Sequence, residues 1–437
     1  MQKNEEEPPL SPMARVFQSP GIDLCAIINI GFKTKINPDV VLDALKQNVY
    51  KHPRFSSKLS ENGEKWIETK VNVEDHVIVP YIDPEETCEV GQSFVDDYIS
   101  RLTLIPLDRS RPLWDIHILN VKTSDAEAVG VIRFNHALAD GMSFISLVLA
   151  CTHKTSNPDM LPTAIPSVKG RSTVSHSLEK NGRFLRAIIF TIGSTMRLIW
   201  NTLNAMNMTI NDVLLGITQA ALSSYLNRQY EQAKNNEEDG ALTSYPNNLP
   251  DGIRFRAGCT VNLRSDIGFK PLAEMMVKDS KCRWGNYFSF FILPLSIGLE
   301  TDPLVYLKKS KAMMARKKHP YQAALTYFLI KISLKVLGAK ATTSLFIQHL
   351  MNITTCVSNV MGPMEEISFH GHPVAYISPS AYGHSHALLI HYTSYAEEMT
   401  ITITVDPTVI PDPHKIFDDM EESLKTMKAV LWERGLL

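Results

Sequence analysis

The chain has 437 residues, is 44% hydrophobic and 21% charged, and carries a formal net charge of −2. That length exceeds what one ordinary core can hold, so two domains of about 200 residues each are expected. The near-neutral balance excludes a chain built as a whole to bind nucleic acid, and any basic surface has to be local.

Met1 to Pro9 is acidic and Pro-containing, with neither a basic start nor an apolar run, and reads as a loose tail without a targeting signal. Cys25 to Ile30 is a first strand. Asn37-Pro38-Asp39 caps a helix to about Tyr50, whose apolar side holds Val40, Val41, Leu42, Leu45 and Val49. Short strands are expected at Trp66 to Glu68 and His76 to Val79. A helix follows around Val95 to Leu102, with Phe94, Tyr98 and Leu102 spaced by four. Pro112-Leu113-Trp114 opens the alternating run Trp114, Ile116, Ile118, where the Trp is either core or the wall of an apolar channel.

Val129 to Phe134 is a nearly continuous apolar run, the pattern of a strand buried on both faces. It breaks at Asn135-His136 and Asp140-Gly141, and Ser143 opens a new apolar run through Ala150. A buried strand that hands a histidine to a loop before a helix holds the imidazole in a cleft. Imidazole titrates near neutrality, so His136 is a candidate general base. The competing reading is a hydrogen-bonded structural histidine.

Residues 154–182 are polar and rich in Pro, Ser and Lys, the composition of a linker. Phe184 to Trp200 follows; its uninterrupted apolar part, Ala187 to Met196, is far short of the ~20 residues that span a bilayer. It reads equally as an interfacial helix or an ordinary packed one. A helix then runs from Asn211 to about Tyr230, with Asn211-Asp212 as its cap signature. A surface loop fills 231–252, Ala257 to Arg264 is a strand ending in a polar triplet, and Tyr287 to Leu293 is another strand.

A basic amphipathic helix covers 303–318, carrying Lys308, Lys309, Lys311, Arg316 and Lys317, and Tyr321 to Leu337 reads as a buried helix. Histidines 370, 372, 384, 386 and 391 crowd one region, but no Cys or carboxylate completes a ligand set, so no metal is expected. Met399 to Val405 is a half-exposed strand. Pro411 to Trp432 closes the chain as a helix with Ile416, Met420, Leu424 and Met427 inward. The six cysteines are scattered without a C-x-x-C pair, which fits reduced thiols.

Several of these stretches together resemble one family: Pro112-Leu113-Trp114, Asn135-His136-x-x-x-Asp140-Gly141, Asn211-Asp212-Val213-Leu214, Asn262-Leu263-Arg264, Gly285-Asn286, Ser358 to Pro363, and Val405 to His414. In this order, over nearly the whole chain, they are similar to the plant-type wax ester synthase/diacylglycerol acyltransferases of the CoA-dependent, chloramphenicol acetyltransferase-like superfamily. The resemblance implies an α/β (α+β) fold of two sandwich domains with mixed sheets and flanking helices, the active site between them. Residues 1–153 would form the domain with the H-x-x-x-D-G motif, 154–206 a linker with the amphipathic helix, and 207–437 the second domain. Two departures stand out. Asn135 replaces the first His of the usual His-His pair, and Trp200 to Asn211 runs directly on where family members carry several dozen more residues.

The resemblance implies that His136 is the base that takes the acceptor hydroxyl proton, with transfer direct and no acyl-enzyme. Asp140 either orients His136 or, as the family pattern implies, faces away and pairs with an Arg, for which Arg264 is the candidate; Gly141 and Asn135 support the loop. Asn211 is the first candidate for the oxyanion donor, with Ser358, Asn359 and Asp212 as further second-domain contacts. Pro112, Leu113 and Trp114 are candidates for the channel, and the basic run at 308–317 for coenzyme A phosphates or an anionic lipid surface. Acyl-CoA is expected as co-substrate with no bound cofactor, and a long-chain alcohol or diacylglycerol as acceptor. Peripheral or interfacial association would place the chain on the cytosolic face of the endoplasmic reticulum or on the plasma membrane, or in the cytoplasm if the 184–200 segment has no membrane role. Three alternatives stay open. One is a soluble acyltransferase of small alcohols or phenolics, whose Asp-Phe-Gly-Trp-Gly signature is absent. Another is a peptide-condensation domain, and the last a shortened, inactive lipid binder.

Overall fold

The computed structural model describes residues 10–19, 22–83, 91–162, 199, 202, 206–237, 247–264, 284–317, 320–383 and 386–436. Most of the expected linker, the segment Phe184 to Trp200 apart from Ile199, His384 and the side chain of Lys317 lie outside them.

The first half holds α1 (Pro12–Phe17), β1 (Cys25–Phe32), α2 (Pro38–Asn48), the hairpin β2 (Ser57–Leu59) and β3 (Trp66–Glu68), and β4 (Val77–Ile78). It continues with α3 (Gly91–Leu102), β5 (Trp114–Leu119), β6 (Ala128–Asn135), α4 (Gly141–Ala150) and β7 (His153–Lys154). Asn37 caps α2 by accepting from Asp39 N, with Pro38 in the first turn, where its missing N–H costs nothing. β1 and β6 pair antiparallel along their whole length, from Cys25 opposite Asn135 to Phe32 opposite Ala128. Both are buried on each face, which fixes the end of β6 rigidly. Beneath them Arg133 forms a buried bidentate pair with Asp115 (3.0 and 2.5 Å) and donates to the carbonyls of Leu102 and Ile105.

The second half supplies α5 (Ile210–Glu237), β8 (Phe255–Asn262), β9 (Phe288–Leu295), α6 (Leu304–Lys317), α7 (Pro320–Val336) and α8 (Gly338–Leu350). After these come β10 (Thr355–Met361), β11 (Ile367–Phe369), β12 (His372–Tyr382), β13 (Leu388–Tyr395), β14 (Glu398–Val405) and α9 (His414–Glu433). The strands form a seven-stranded sheet, β4-β5-β6-β1-β12-β11-β7, and a five-stranded sheet, β14-β13-β10-β8-β9. β11 and β12 therefore leave the second half and complete the first sheet. The hydroxyl pair Ser378–Thr402 (2.7 Å) and a bond from Tyr395 Oη to Val374 O (3.1 Å) join β12 to the second sheet.

Alternation along the five-stranded sheet separates its faces. Ala257, Cys259, Val357, Ile390 and Tyr392 pack with α5, α6 and α9 in one core. Ser358 and His391, paired in register, lie on the face turned the other way.

Three local expectations change. The cap of α5 is Thr209, not Asn211. Asp212 N donates to Thr209 Oγ1 (3.4 Å), and Asp212 Oδ2 accepts from Thr209 N (2.7 Å), a reciprocal capping box that occupies Asp212 and leaves Asn211 out. α7 is not a buried helix, because Leu325, Phe328, Leu329, Ile332 and Val336 are exposed. Gly338, at φ +78°, then turns the chain into α8, a helix that the apolar pattern did not announce.

Candidate active site

His136 follows the last residue of β6, and its N–H donates to Leu24 O (2.9 Å). Asn135, 1% exposed, sets the turn: its Oδ1 accepts from Ala137 N (3.0 Å) and from Gln18 Nε2, and its Nδ2 donates to Asp23 (3.2 Å). Asn135 is thus a loop anchor tied to the residues after α1.

Asp140 begins α4 and holds three partners at once. It accepts from Ser143 N as the helix cap (2.9 Å), from Tyr287 N (2.9 Å), and from Arg264 through two nitrogens (2.8 and 3.1 Å). The pair is nearly buried, with side-chain exposures of 8% for Arg264 and 5% for Asp140. Arg264 also donates to Ser143 Oγ and to Gly285 O. Asp140 therefore shapes the loop, and no hydrogen bond joins it to His136. A Cβ on Gly141 would come within 3.1 Å of Val360, so β10 approaches the start of α4 closely.

The segment 284–288 clamps the His136 loop residue by residue. Trp284 Nε1 donates to Leu138 O (2.8 Å), Gly285 N to Ser143 Oγ (3.1 Å), and Tyr287 N to Asp140. Gly285 sits at φ +107°, a conformation that suits glycine. Asn286, fully buried, donates through Nδ2 to His136 O (2.7 Å), and its Oδ1 lies 3.0 Å from His136 Nδ1. An amide oxygen only accepts, so Nδ1 carries the proton and Nε2 is left as the acceptor. Phe17 and Phe288 flank the ring, with centroids 5.1 and 5.8 Å away. Burial lowers the His136 pKa below its usual value, and the Asp140 charge and the Asn286 bond reverse this only in part. The imidazole is neutral at pH 7, as a base must be.

Ser358 accepts from Thr260 Oγ1 (3.1 Å) and keeps its own O–H to donate. Beside it, burial, with a smaller electrostatic coupling to His136, pushes His391 down to about 4, and among the described residues its buried Nδ1 has no hydrogen-bond partner. Asn211 Oδ1 accepts from Asn359 Nδ2 (2.8 Å). Asn359 alternates with Ser358, so this pair belongs to the sheet face away from Ser358.

Pro112, Leu113 and Trp114 are buried; Trp114, 2% exposed, donates to Phe55 O and stacks on His76 at 4.1 Å, packed in the core of the first half. The basic run of α6 is divided: Lys309 pairs with Glu300, Lys311 donates to Met206 O, and Lys308 and Arg316 point outward. Among the described residues no group of three or more metal-ligating side chains assembles. Sequence reasoning gave no role to Asn286, Ser143, Trp284, Phe17 or Phe288. Gly285-Asn286, noted only as a motif, was the one signal pointing to the clamp.

A family model described as wax ester synthase/diacylglycerol acyltransferase catalytic domain matches residues 39–238, and one described as WS/DGAT C-terminal domain matches residues 284–428. The chain is 84% identical to wax ester synthase/diacylglycerol acyltransferase 8 of Arabidopsis thaliana, covering 100% of this chain and 99% of that protein. The alignment spans 482 positions, so at least 45 of them have no residue among the 437 here. Among solved structures, the wax ester synthase/diacylglycerol acyltransferase from Marinobacter aquaeolei VT8 superposes with a TM-score of 0.61 at 17% identity, covering 96% of this chain and 98% of that one. The first condensation domain of the CDA synthetase gives 0.54 at 12% identity, with 96% and 94% covered. The fold is that of the two-domain condensation and chloramphenicol acetyltransferase-like acyltransferases.

Proposed function

Because the chain belongs to the wax ester synthase/diacylglycerol acyltransferase family, we propose that it transfers a fatty acyl group from acyl-CoA to the hydroxyl of a long-chain alcohol, and of diacylglycerol. The products are a wax ester or triacylglycerol, and free coenzyme A. Acyl-CoA is a co-substrate and no bound cofactor takes part. The supporting observation is the Asn286 clamp, which presents the bare Nε2 of a neutral His136. Nε2 takes the acceptor's proton as the alcohol oxygen attacks the thioester carbon. The tetrahedral adduct then loses the C–S bond, and the proton on Nε2 passes to the departing thiolate, so no acyl-enzyme forms.

For the oxyanion, Ser358 takes precedence over Asn211. Its O–H is uncommitted and it sits beside His391, whereas Asn211 pairs with Asn359 on the other face. The phenolic-acyltransferase and condensation readings give way to the family match. The absent positions favour a non-catalytic lipid binder, but the complete clamp at 284–288 weighs for an enzyme.

Acceptors of this kind reside in membranes, so we assign the chain a peripheral place on the cytosolic face of the endoplasmic reticulum or on the plasma membrane. Among the described residues no helix is long and apolar enough to cross a bilayer. The test is coenzyme A thiol release from palmitoyl-CoA with hexadecanol or diacylglycerol, followed by product extraction. Acceptor-dependent release with the matching ester supports the reading, and silence of the folded chain with both acceptors overturns it.

A further inference from the structure

α7 is mostly apolar, yet among the described residues one long side of it is exposed. Its inner residues Tyr327, Ile330 and Leu334 pack with Met13, Phe17 and Phe290. On the outer side, Leu325, Phe328, Leu329 and Ile332 recur at helical spacing with exposures of 55%, 55%, 52% and 42%, and Val336 follows at 73%. Eight of the 21 exposed large hydrophobic residues among those described fall between Leu325 and Met351, so this is a patch and not scatter.

Charge singles out the same region. Between Pro303 and Met364 the chain carries nine Lys and Arg and no Asp or Glu, although its overall charge is −2. Three of the nine, Lys331, Lys335 and Lys340, are exposed on α7 and α8 around the apolar stripe. We infer that the outer face of α7 and α8 docks on an anionic lipid bilayer. The apolar stripe enters the headgroup boundary while the lysine stems run along it and their ammonium groups reach the lipid phosphates. At 17 residues α7 is too short to span, so it lies in the interface.

The location deepens the acyltransferase reading, on which it rests. Phe17, in the cluster under α7, has its ring 5.1 Å from that of His136. A lipid acceptor leaving the bilayer at this face would therefore meet the apolar wall of the site first, with no crossing of bulk water.

The test uses the purified full chain in vesicle flotation, with phosphatidylcholine alone and with phosphatidylserine added. The triple variant Leu325→Glu, Phe328→Glu, Ile332→Glu is expected to lose about 100-fold in partitioning onto the mixed vesicles. The variant Lys331→Ala, Lys335→Ala, Lys340→Ala should lose about tenfold on mixed vesicles and little on phosphatidylcholine. Thiol release from butyryl-CoA with butanol, both soluble, should be equal in wild type and both variants. Flotation of the triple variant like wild type overturns the docking face, as does a wild type that never floats. A wild-type dimer that the triple variant splits also overturns it, because a second copy then covers the patch. Flotation as expected with no thiol release from wild type supports the docking face and overturns the acyltransferase reading instead.

Discussion

Asn286 holds His136 at two points, its amide oxygen 3.0 Å from ring Nδ1 and its amide nitrogen 2.7 Å from the backbone carbonyl. One side chain from the second half of the chain thereby fixes the tautomer and the tilt of an imidazole from the first half. The two contacts also determine which way the amide points, because only its NH₂ can serve a carbonyl.

Asn286→Ala should lower kcat by about 10- to 100-fold with the fold intact, the usual penalty for removing a group that orients a catalytic imidazole. Asn286→Asp separates orientation from simple packing. A carboxylate at Nδ1 stabilises the imidazolium, so the acid limb of the rate profile should move to higher pH. An unmoved limb in Asn286→Asp would show that Asn286 does not govern the protonation of His136.

The wild-type pH profile follows from burial. The His136 pKa is held below its ordinary 6.5, and in its proposed role as base it acts only when deprotonated. The acid limb of kcat/KM should therefore have its midpoint below 6.5, with full activity retained at neutrality. A midpoint at or above 6.5 would place the controlling proton elsewhere.

The Asp140–Arg264 pair is a structural clamp. Asp140→Ala or Arg264→Met each strands a buried charge and should cost roughly 3–5 kcal/mol, read from denaturant midpoints. The double variant leaves no buried charge and should cost less than the two singles added. Strict additivity would mean that the two groups do not act on each other.

Ser358→Ala should lower kcat by about 10²- to 10³-fold with KM little changed, the mark of a donor that acts on the oxyanion. Asn211→Ala should do less. The reverse order would return the oxyanion role to Asn211.

His52, packed behind the Trp284 end of the clamp, gives a stability test. It is 2% exposed against Phe55 and Trp284, and burial pushes its pKa down to about 3 from 6.5. Between those values the unfolded chain binds a proton that the native state refuses. Stability should fall as pH drops through this window, by about 1.4 kcal/mol per pH unit from this group. His52→Phe should flatten that slope.

What the sequence disclosed follows from how local each signal is. The run Val129 to Phe134 is apolar without interruption, so a doubly buried strand ending at His136 was legible, and the motif order disclosed the fold class. The cap of α5 was misplaced by two residues, because Thr209, Asn211 and Asp212 all suit a helix start and only geometry shows that Thr209 and Asp212 bond reciprocally. Asn286 lies 150 residues from His136, with no periodicity to mark it. The return of β11 and β12 to the first sheet is likewise a long-range pairing, invisible in a local pattern. α7 reads as buried because it is mostly apolar, and periodicity does not record what covers a face.

The proposed mechanism has Nε2 of His136 take the acceptor's proton. The most direct measurement is acceptor-dependent thiol release from palmitoyl-CoA and hexadecanol by wild type and His136→Ala, matched for folding by circular dichroism. A fall of about 10²- to 10⁴-fold is expected in the variant. A variant that keeps its rate within about tenfold of wild type would contradict it.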